Sequence, residues 1–165
     1  MPMRHPIAIE DLALSLPPKG RLIGVDLGSK TIGLAISDVE RRLASPLKTL
    51  VRGAFAKDAD ALTAILSEFA IAGIVLGLPL GLDGRDNPRA QSTRAFARNL
   101  STRAGLPIVL WDERFSTAVV TRSLIANDVS RARRAQIVDK MAAAYILQGA
   151  LDRLGGLTSP QMGGP

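Results

Sequence analysis

The 165-residue chain contains no cysteine and a single histidine, His5. Without cysteine there can be no disulfide, no thiolate metal site and no cysteine nucleophile. One histidine near the N-terminus also argues against a histidine-based catalytic triad and against a histidine-rich metal site. Any metal site must therefore use oxygen ligands, which favour hard cations such as Mg²⁺, Mn²⁺ or Ca²⁺.

Aromatic residues are also scarce, at 4% of the chain, so aliphatic side chains and alanine must fill most of the core. No apolar run approaches the roughly 18 residues of a membrane span. The N-terminus carries acids where a signal peptide would have an apolar segment. These absences predict a cytoplasmic protein that has no membrane partner.

The net charge is +6, from 21 Lys plus Arg against 15 Asp plus Glu. A basic domain favours polyanionic partners such as nucleic acid. A solvated basic surface, or the arginine usage of a GC-rich genome, would give the same balance. Charge alone leaves these interpretations open.

The composition divides the chain into three segments. Residues 1–20 form an N-terminal extension that ends in the sequence PPKG. Residues 155–165 are rich in glycine and proline, which predicts a flexible C-terminal tail. The domain proper is predicted over 21–154, a length that suits one domain.

Within this domain, strand and helix patterns alternate in the order β-β-β-α-β-α-β-α-α. The first two strands are close enough for a hairpin, and strands joined by helices should be parallel through right-handed crossovers. The prediction is an α/β fold with a mixed five-stranded sheet and helices on both faces, a class that binds ligands at the carboxyl ends of parallel strands. Strands are predicted at 21–28, 31–38, 47–51, 73–80 and 106–112, and helices at 57–71, 89–104, 116–127 and 133–154.

Three acids lie within or beside apolar segments. Asp26 is inside the first predicted strand, where an unpaired charge is expensive to bury, so it should bind a metal, cap a turn or pair with a cation. Glu113 directly follows a buried strand, and Asp112 is the weaker candidate because strand alternation points the two apart. Asp139 lies in the first turns of the last helix, next to the alanines at 142–143, which allow close approach to the sheet.

Each acid also has an ordinary structural explanation. Asp26 could be a partnered buried acid, Glu113 a loop acid paired with Arg114, and Asp139 an acid favoured by the helix dipole. Together, however, the three can converge at one sheet edge, where they would repel one another unless cations lay between them. Two metals about 3.5–4 Å apart would clamp the attacking and leaving oxygens of phosphodiester hydrolysis. Asp26, Glu113 and Asp139 are therefore predicted to be catalytic and to bind two Mg²⁺ or Mn²⁺ ions.

Basic residues lie beside these acids and in two further clusters. Lys30 and Arg114 are next to the acids in sequence and are candidates for binding the scissile phosphate. The first cluster spans a turn-rich loop and the next helix, and the second precedes the last helix. Either could follow a phosphate backbone or form a solvated face. The clusters are Arg85, Arg89, Arg94 and Arg98, and Arg131, Arg133 and Arg134.

Four motifs resemble, in their order, those of the YqgF family, also called RuvX-like. They are GVDLGSKTIGLAISD at 24–38, VLGLPLGLDG at 75–84, WDERFST at 111–117 and VDKMAAAYIL at 138–147. The resemblance covers about 21–154 and places the family's acids on Asp26, Glu113 and Asp139. It implies an RNase H-like fold and a hydrolase that trims the 5′ end of the 16S rRNA precursor in ribosome biogenesis.

Three other functions would use some of the same residues. A resolvase of Holliday junctions in DNA would share the acids and metals, and junction symmetry would favour a homodimer over a monomer. A non-catalytic RNA-binding assembly factor would not need the three acids. An ATPase of the sugar-kinase or actin type has a first phosphate motif resembling DLGSKTIGLAI, but such proteins need two related domains and this chain holds one.

Overall fold

The computed structural model describes residues 6–115 and 131–158, and the side chains of 137–157 within the last helix. The predicted helix at 116–127 lies outside the described residues. Among the helices in the described ranges, none combines the length and apolar character needed to cross a bilayer. The strands are Arg21–Leu27 (β1), Thr31–Ser37 (β2), Ala44–Val51 (β3), Ile71–Leu78 (β4) and Ile108–Asp112 (β5), and the helices are Ile9–Ser15 (α1), Phe55–Glu68 (α2), Pro88–Ala104 (α3) and Arg131–Thr158 (α4).

The five strands form one mixed sheet in the order β3-β2-β1-β4-β5. β2 is antiparallel to both β1 and β3, whereas β4 is parallel to β1 and β5 is parallel to β4. The predicted hairpin and parallel crossovers are confirmed. The carboxyl ends of β1, β4 and β5 therefore meet at one side of the sheet, which we call the carboxyl edge.

Helices cover both faces of the sheet, as predicted. Alternation along β1 sends Ile23 and Val25 into a core with α2 and α3. Leu22 and Gly24 face the opposite side, where α4 and α1 pack. Consecutive residues of β1 thus serve two separate cores, and the acid that follows in the alternation, Asp26, belongs to the α4 side.

The N-terminal segment adds to this second core from residue 6 onward. Leu12 of α1 is completely buried among residues of α4 and the sheet. Ile7 forms a parallel bridge with Val109, and its N–H donates to the carbonyl of Ile108 at 2.9 Å. This bridge covers part of the β5 edge, whose backbone groups would otherwise be open to pairing. The boundary of a separate N-terminal extension at residue 20 stays a prediction.

Helix α3 has clear start and stop signals in the sequence. The Asn87 side chain accepts a hydrogen bond from the N–H of Ala90 at 2.8 Å, and Pro88 takes the first helical position, where its missing N–H costs nothing. At the other end, Gly105 adopts a φ of 66°, the left-handed conformation that commonly ends helices. These signals set where the helix begins at the carboxyl edge.

Helix α4 extends beyond its predicted end at 154, and this boundary was wrong by four residues. The helix includes Gly155 and Gly156, which cost only about 1 kcal/mol each relative to alanine. Leu151 and Leu154 are still buried just before them, so packing continues to the glycines. Beyond Thr158, the predicted flexible tail lies outside the described residues. The other predicted bounds of the described elements coincide with the structure or differ from it by up to three residues.

Glycine lets α4 lie against the sheet at backbone distance. A Cβ atom placed on Gly24 would lie 2.7 Å from the Cβ of Leu147 and 2.8 Å from the carbonyl oxygen of Ala143. A Cβ atom on Gly33 would overlap the carbonyl oxygen of Asp139. The predicted close approach of this helix face is confirmed, and its cause lies on the strands as well as on the helix.

Replacing Gly24 with alanine should therefore destabilise the fold. The new methyl group would meet backbone and a Cβ atom, neither of which can move aside as a flexible side-chain end can. We expect the free energy of unfolding to fall by about 1–3 kcal/mol, the usual range for overpacking, as measured by denaturant unfolding. Gly156→Ala is the control, because a Cβ there has open space; equal stability of the two variants would contradict the close packing of α4.

Candidate active site

Asp26 lies near the carboxyl end of β1, on the face that α4 covers, and is only 2% exposed. It pairs with Gly33 across the antiparallel β1–β2 ladder. On its other side, the Val25–Leu76 pair is followed along β4 by Gly77. The strand neighbours of Asp26 on both sides are therefore glycines, which leave space around its carboxylate.

The other two predicted acids lie over these two glycines. A Cβ atom on Gly77 would lie 2.9 Å from Oε1 of Glu113 and 3.3 Å from its Cγ. A Cβ atom on Gly33 would lie 3.0 Å from the Cβ of Asp139. Because facing residues of antiparallel strands hold their Cβ positions about 4.5–5.5 Å apart, Asp139 lies beside Asp26. The structure thus brings all three acids onto one face, with Asp26 in the middle.

Glu113 begins a short 3-10 turn immediately after β5 and is 7% exposed. Its neighbour Asp112 makes the ion pair with Arg114, with Nη2 2.6 Å and Nε 3.0 Å from Oδ2. Burial acts to raise the pKa of Asp112, but hydrogen bonds from the Arg114 side chain and backbone outweigh it and hold the pKa below its usual value. The same side-chain bond raises the pKa of Arg114. Asp112 is therefore engaged in the ion pair with Arg114. Glu113 is the acid that lies on the face of the sheet covered by α4.

Asp139 is connected to the turn that follows Asp26. Its carboxylate accepts a hydrogen bond from the hydroxyl of Thr31, the first residue of β2. The carbonyl of Thr31 in turn accepts the N–H of Gly28 at 2.9 Å, which closes the turn between β1 and β2. Helix α4 is thereby tied to the turn at the carboxyl edge, next to the central acid.

Donor type and burial both suit a hard divalent cation at this place. Asp26 and Glu113 are buried carboxylates, Asp139 is half-buried beside them, and all the donors are oxygens. Within residues 6–115 and 131–158, however, no three acidic or histidine side chains converge closely enough to hold an ion as they stand. Binding of one ion by all three acids would therefore require their carboxylates to move closer together.

The predicted phosphate-binding residues occupy different environments. Lys30 is exposed in the turn after β1, and Arg89 is exposed in the first turn of α3. Arg85 is exposed in the preceding loop, where its Nε lies 3.5 Å from Oδ2 of Asp83. The side chains of the second cluster, Arg131, Arg133 and Arg134, lie outside the described residues.

A groove of about 530 Å³ opens beside Glu113. One wall is the loop after β4, whose Leu82 is 98% exposed, and Arg89 and Arg114 also line it. The guanidinium of Arg114 packs against this loop, because a Cβ atom on Gly84 would lie 3.0 Å from its Nη1. Ligand sites commonly measure roughly 300–1,000 Å³, so the groove can accept a group as large as a nucleotide.

Sequence reasoning did not single out the glycines at 33 and 77, nor Thr31. The two glycines interrupt buried strand patterns, and a glycine inside a strand often marks close approach of another backbone or a ligand. That signal was available, but it does not say what approaches. Thr31 offered only a hydroxyl near an acidic motif, which is too common to be informative.

This arrangement of a mixed five-stranded sheet, flanking helices and buried acids at the carboxyl edge is the RNase H-like nuclease fold. A solved structure with this fold is RuvC from Thermus thermophilus in complex with a Holliday junction substrate. The match has a TM-score of 0.53 and covers 82% of this chain and 96% of that one. The two sequences are 14% identical, so the likeness concerns the fold alone.

The chain belongs to the RuvX family, described as Holliday junction resolvase, whose family model matches residues 20–153. The resemblance found in the motifs is confirmed. The chain is 58% identical over 148 residues to a protein of Methylocella silvestris and 62% identical over 138 residues to one of Bradyrhizobium sp., both named "Putative pre-16S rRNA nuclease". These alignments cover 90% and 84% of this chain, and 92% and 86% of the relatives. The family is one of nucleases, which hydrolyse phosphodiester bonds and generally depend on divalent metals.

Replacing Gly77 with alanine should displace the Glu113 carboxylate and impair nuclease activity. The new methyl group would lie 2.9 Å from Oε1 of Glu113 and 2.6 Å from Cδ1 of Ile146, which are both side-chain ends that can shift. We expect cleavage to fall by about 10–100-fold, as when an outer residue of a metal site is changed, while the protein stays folded. The measurements are the cleavage rate and the melting temperature.

The matched control is Gly73→Ala, on the same strand and face but further from the acids. Its Cβ would lie 3.0 Å from Cδ2 of Leu22 and 3.3 Å from Cδ1 of Leu12, so it overpacks the core in a similar way. This variant should keep its activity. If both variants lose activity in proportion to their loss of stability, Gly77 has no special relation to Glu113.

Proposed function

We propose that this protein is a metal-dependent ribonuclease that processes the 5′ end of the 16S rRNA precursor, in the cytoplasm and as part of ribosome biogenesis. The observation that carries the proposal is the placement of Glu113 and Asp139 over the two glycines that flank buried Asp26. Support for RNA as the substrate comes from relatives at 58–62% identity, which are named for pre-16S rRNA. The junction-bound neighbour is far more distant in sequence, at 14% identity.

In this proposal Asp26, Glu113 and Asp139 are the catalytic residues and hold two Mg²⁺ or Mn²⁺ ions. Such ions supply an activated water and offset negative charge at the phosphate. The chain contributes the positions of the acids. Asp26 is held between paired strands on both sides, and the hydroxyl of Thr31 orients the carboxylate of Asp139.

The basic residues around the carboxyl edge bind the phosphate backbone in this proposal. Lys30 and Arg89 are exposed there and offer full positive charges. Arg85 makes only an exposed pair with Asp83, an interaction weak enough to be exchanged for a phosphate. Arg114 faces the groove beside Glu113 while Asp112 offsets part of its charge. Arg131, Arg133 and Arg134 are included in the proposal on the sequence alone.

Replacing Asp26 with asparagine should abolish cleavage and leave RNA binding largely intact. The substitution removes the central negative charge and keeps the shape of the side chain, so strand pairing is unaffected. We expect the rate to fall by more than about 100-fold, the upper end seen when a residue outside the metal's ligands is changed. The assay offers an RNA that spans the 5′ end of mature 16S rRNA, with Mg²⁺ or Mn²⁺.

Asp60→Asn is the matched control, because Asp60 lies on the exposed surface of α2 and pairs with Arg103. It makes the same chemical change far from the carboxyl edge and should cleave as the wild type does. A DNA four-way junction is assayed in parallel. Cleavage of the junction alone would replace the rRNA substrate by a DNA one with the same acids. Wild-type rates in Asp26→Asn would contradict the catalytic role itself.

A further inference from the structure

A second, smaller pocket lies at the carboxyl edge on the side of the sheet covered by α2 and α3. Its volume is about 140 Å³. It lies between the end of β1, the residue that follows β3 and the first turns of α3. Its polar lining consists of two arginines, Arg52 and Arg89, and three hydroxyl residues, Ser29, Ser92 and Thr93.

Arg52 is held in place at the wall of this pocket. Its Nη1 donates to the carbonyl of Gly28 at 2.6 Å, and its backbone N–H donates to the carbonyl of Lys30 at 2.9 Å. A guanidinium has five N–H donors, so this anchor leaves others for a ligand. Because the group is already ordered, it loses little freedom when it binds an anion.

Among the described residues, no acid lines this pocket. The acid that precedes Arg89 by three residues, Asp86, pairs with Arg94 instead, at 3.5 Å. The acid that is nearest to Arg52 along the chain, Asp58, is buried and accepts the N–H of Gly53 at 2.9 Å. The two guanidinium groups and the exposed hydroxyls of Ser29 and Ser92, with no carboxylate among the lining residues, favour a negatively charged oxygen ligand.

The size of the pocket restricts that ligand to a small group. At about 140 Å³ it is well below the roughly 300–1,000 Å³ of pockets that enclose larger molecules. A base or a nucleoside would not fit within it, whereas a single phosphate would. Ser29 and Ser92 are exposed at its mouth, so a phosphate could enter while the rest of its chain remains outside.

Arg89 connects this pocket to the candidate active site. It lines both the small pocket and the groove beside Glu113. The small pocket also begins at Leu27 and Gly28, directly after Asp26 in the chain. We propose that the pocket of Arg52, Arg89 and Ser29 binds a backbone phosphate of the RNA other than the scissile one. This inference rests on the proposed function and adds a positioning site to it.

The test measures binding, so that it does not depend on cleavage. Asp26→Asn protein is titrated with a single-stranded RNA from the 5′ end region of 16S rRNA, in which each phosphate in turn is replaced by a neutral methylphosphonate. We expect one replacement away from the cleavage site to weaken binding markedly. The same replacement should have no further effect once Arg89→Gln is added, because the two changes remove the same contact.

Arg103→Gln on the same helix is the control for net charge. It lies about 21 Å further along α3, at about 1.5 Å per residue, and pairs with Asp60. Arg89→Gln should reduce the slope of log affinity against log salt by about 0.7, the value for one lost contact to a single strand. Arg89→Lys should restore most of the slope, and Arg103→Gln should leave it nearly unchanged.

The outcomes separate the pocket from the proposed function. Equal effects of Arg89→Gln and Arg103→Gln, or a methylphosphonate effect that persists in Arg89→Gln, would overturn the pocket. If the wild type cuts the RNA but no methylphosphonate effect depends on Arg89, the proposed phosphate pocket is wrong and the proposed cleavage stands. If one methylphosphonate effect depends on Arg89 but the wild type cuts no RNA, the pocket stands as a phosphate-binding site and the proposed cleavage is wrong.

Discussion

Helix α4 lies against the sheet at a distance that a side chain at Gly24 or Gly33 would prevent, because each would meet the helix backbone. Gly24, Gly33 and Gly77 all face this helix, and a Cβ atom on each would collide with a helix residue. At two of the three, the space left by the missing side chain also admits an acid: Asp139 over Gly33 and Glu113 over Gly77. The packing that closes this core therefore also gathers the acids around Asp26, and the stability of the fold and the geometry of the site depend on the same contacts.

The buried acids that the proposed function needs also lower the stability of the fold. Carboxylates buried as deeply as Asp26 and Glu113 are expensive to desolvate, and a domain is stable by only about 5–15 kcal/mol in total. On the opposite face of the sheet, aliphatic residues of β1, β2 and β4 pack with α2 and α3. The buried acid described on that side, Asp58 of α2, accepts the N–H of Gly53. Cations bound among the acids would remove their mutual repulsion, so metal binding and folding should favour each other in this protein.

Much of the fold was predictable because its signals are local. The short connection between the segments 21–28 and 31–38 predicted the hairpin. The helical patterns predicted the parallel crossovers that bring Asp26 and Glu113 to one edge. Strand register, the partner of Arg114 and the end of α4 were not predictable in the same way, because each depends on contacts between distant parts of the chain. The pairing of Asp26 with Gly33 depends on strand register, which no single segment specifies. Arg114 has acids at both preceding positions, and only the direction of the chain after β5 determines that it pairs with Asp112. The extension of α4 past 154 likewise depends on burial of its last leucines rather than on helix propensity.

Titration with Mn²⁺ followed by electron paramagnetic resonance tests directly whether the acids around Asp26 form a site for divalent cations. We expect saturable binding by the wild type and lost or greatly weakened binding in Asp26→Asn and Glu113→Gln. A variant of an exposed acid, Asp152→Asn, should bind Mn²⁺ as the wild type does. Equal Mn²⁺ affinity and stoichiometry in the wild type and Asp26→Asn would show that Asp26 does not bind the cation.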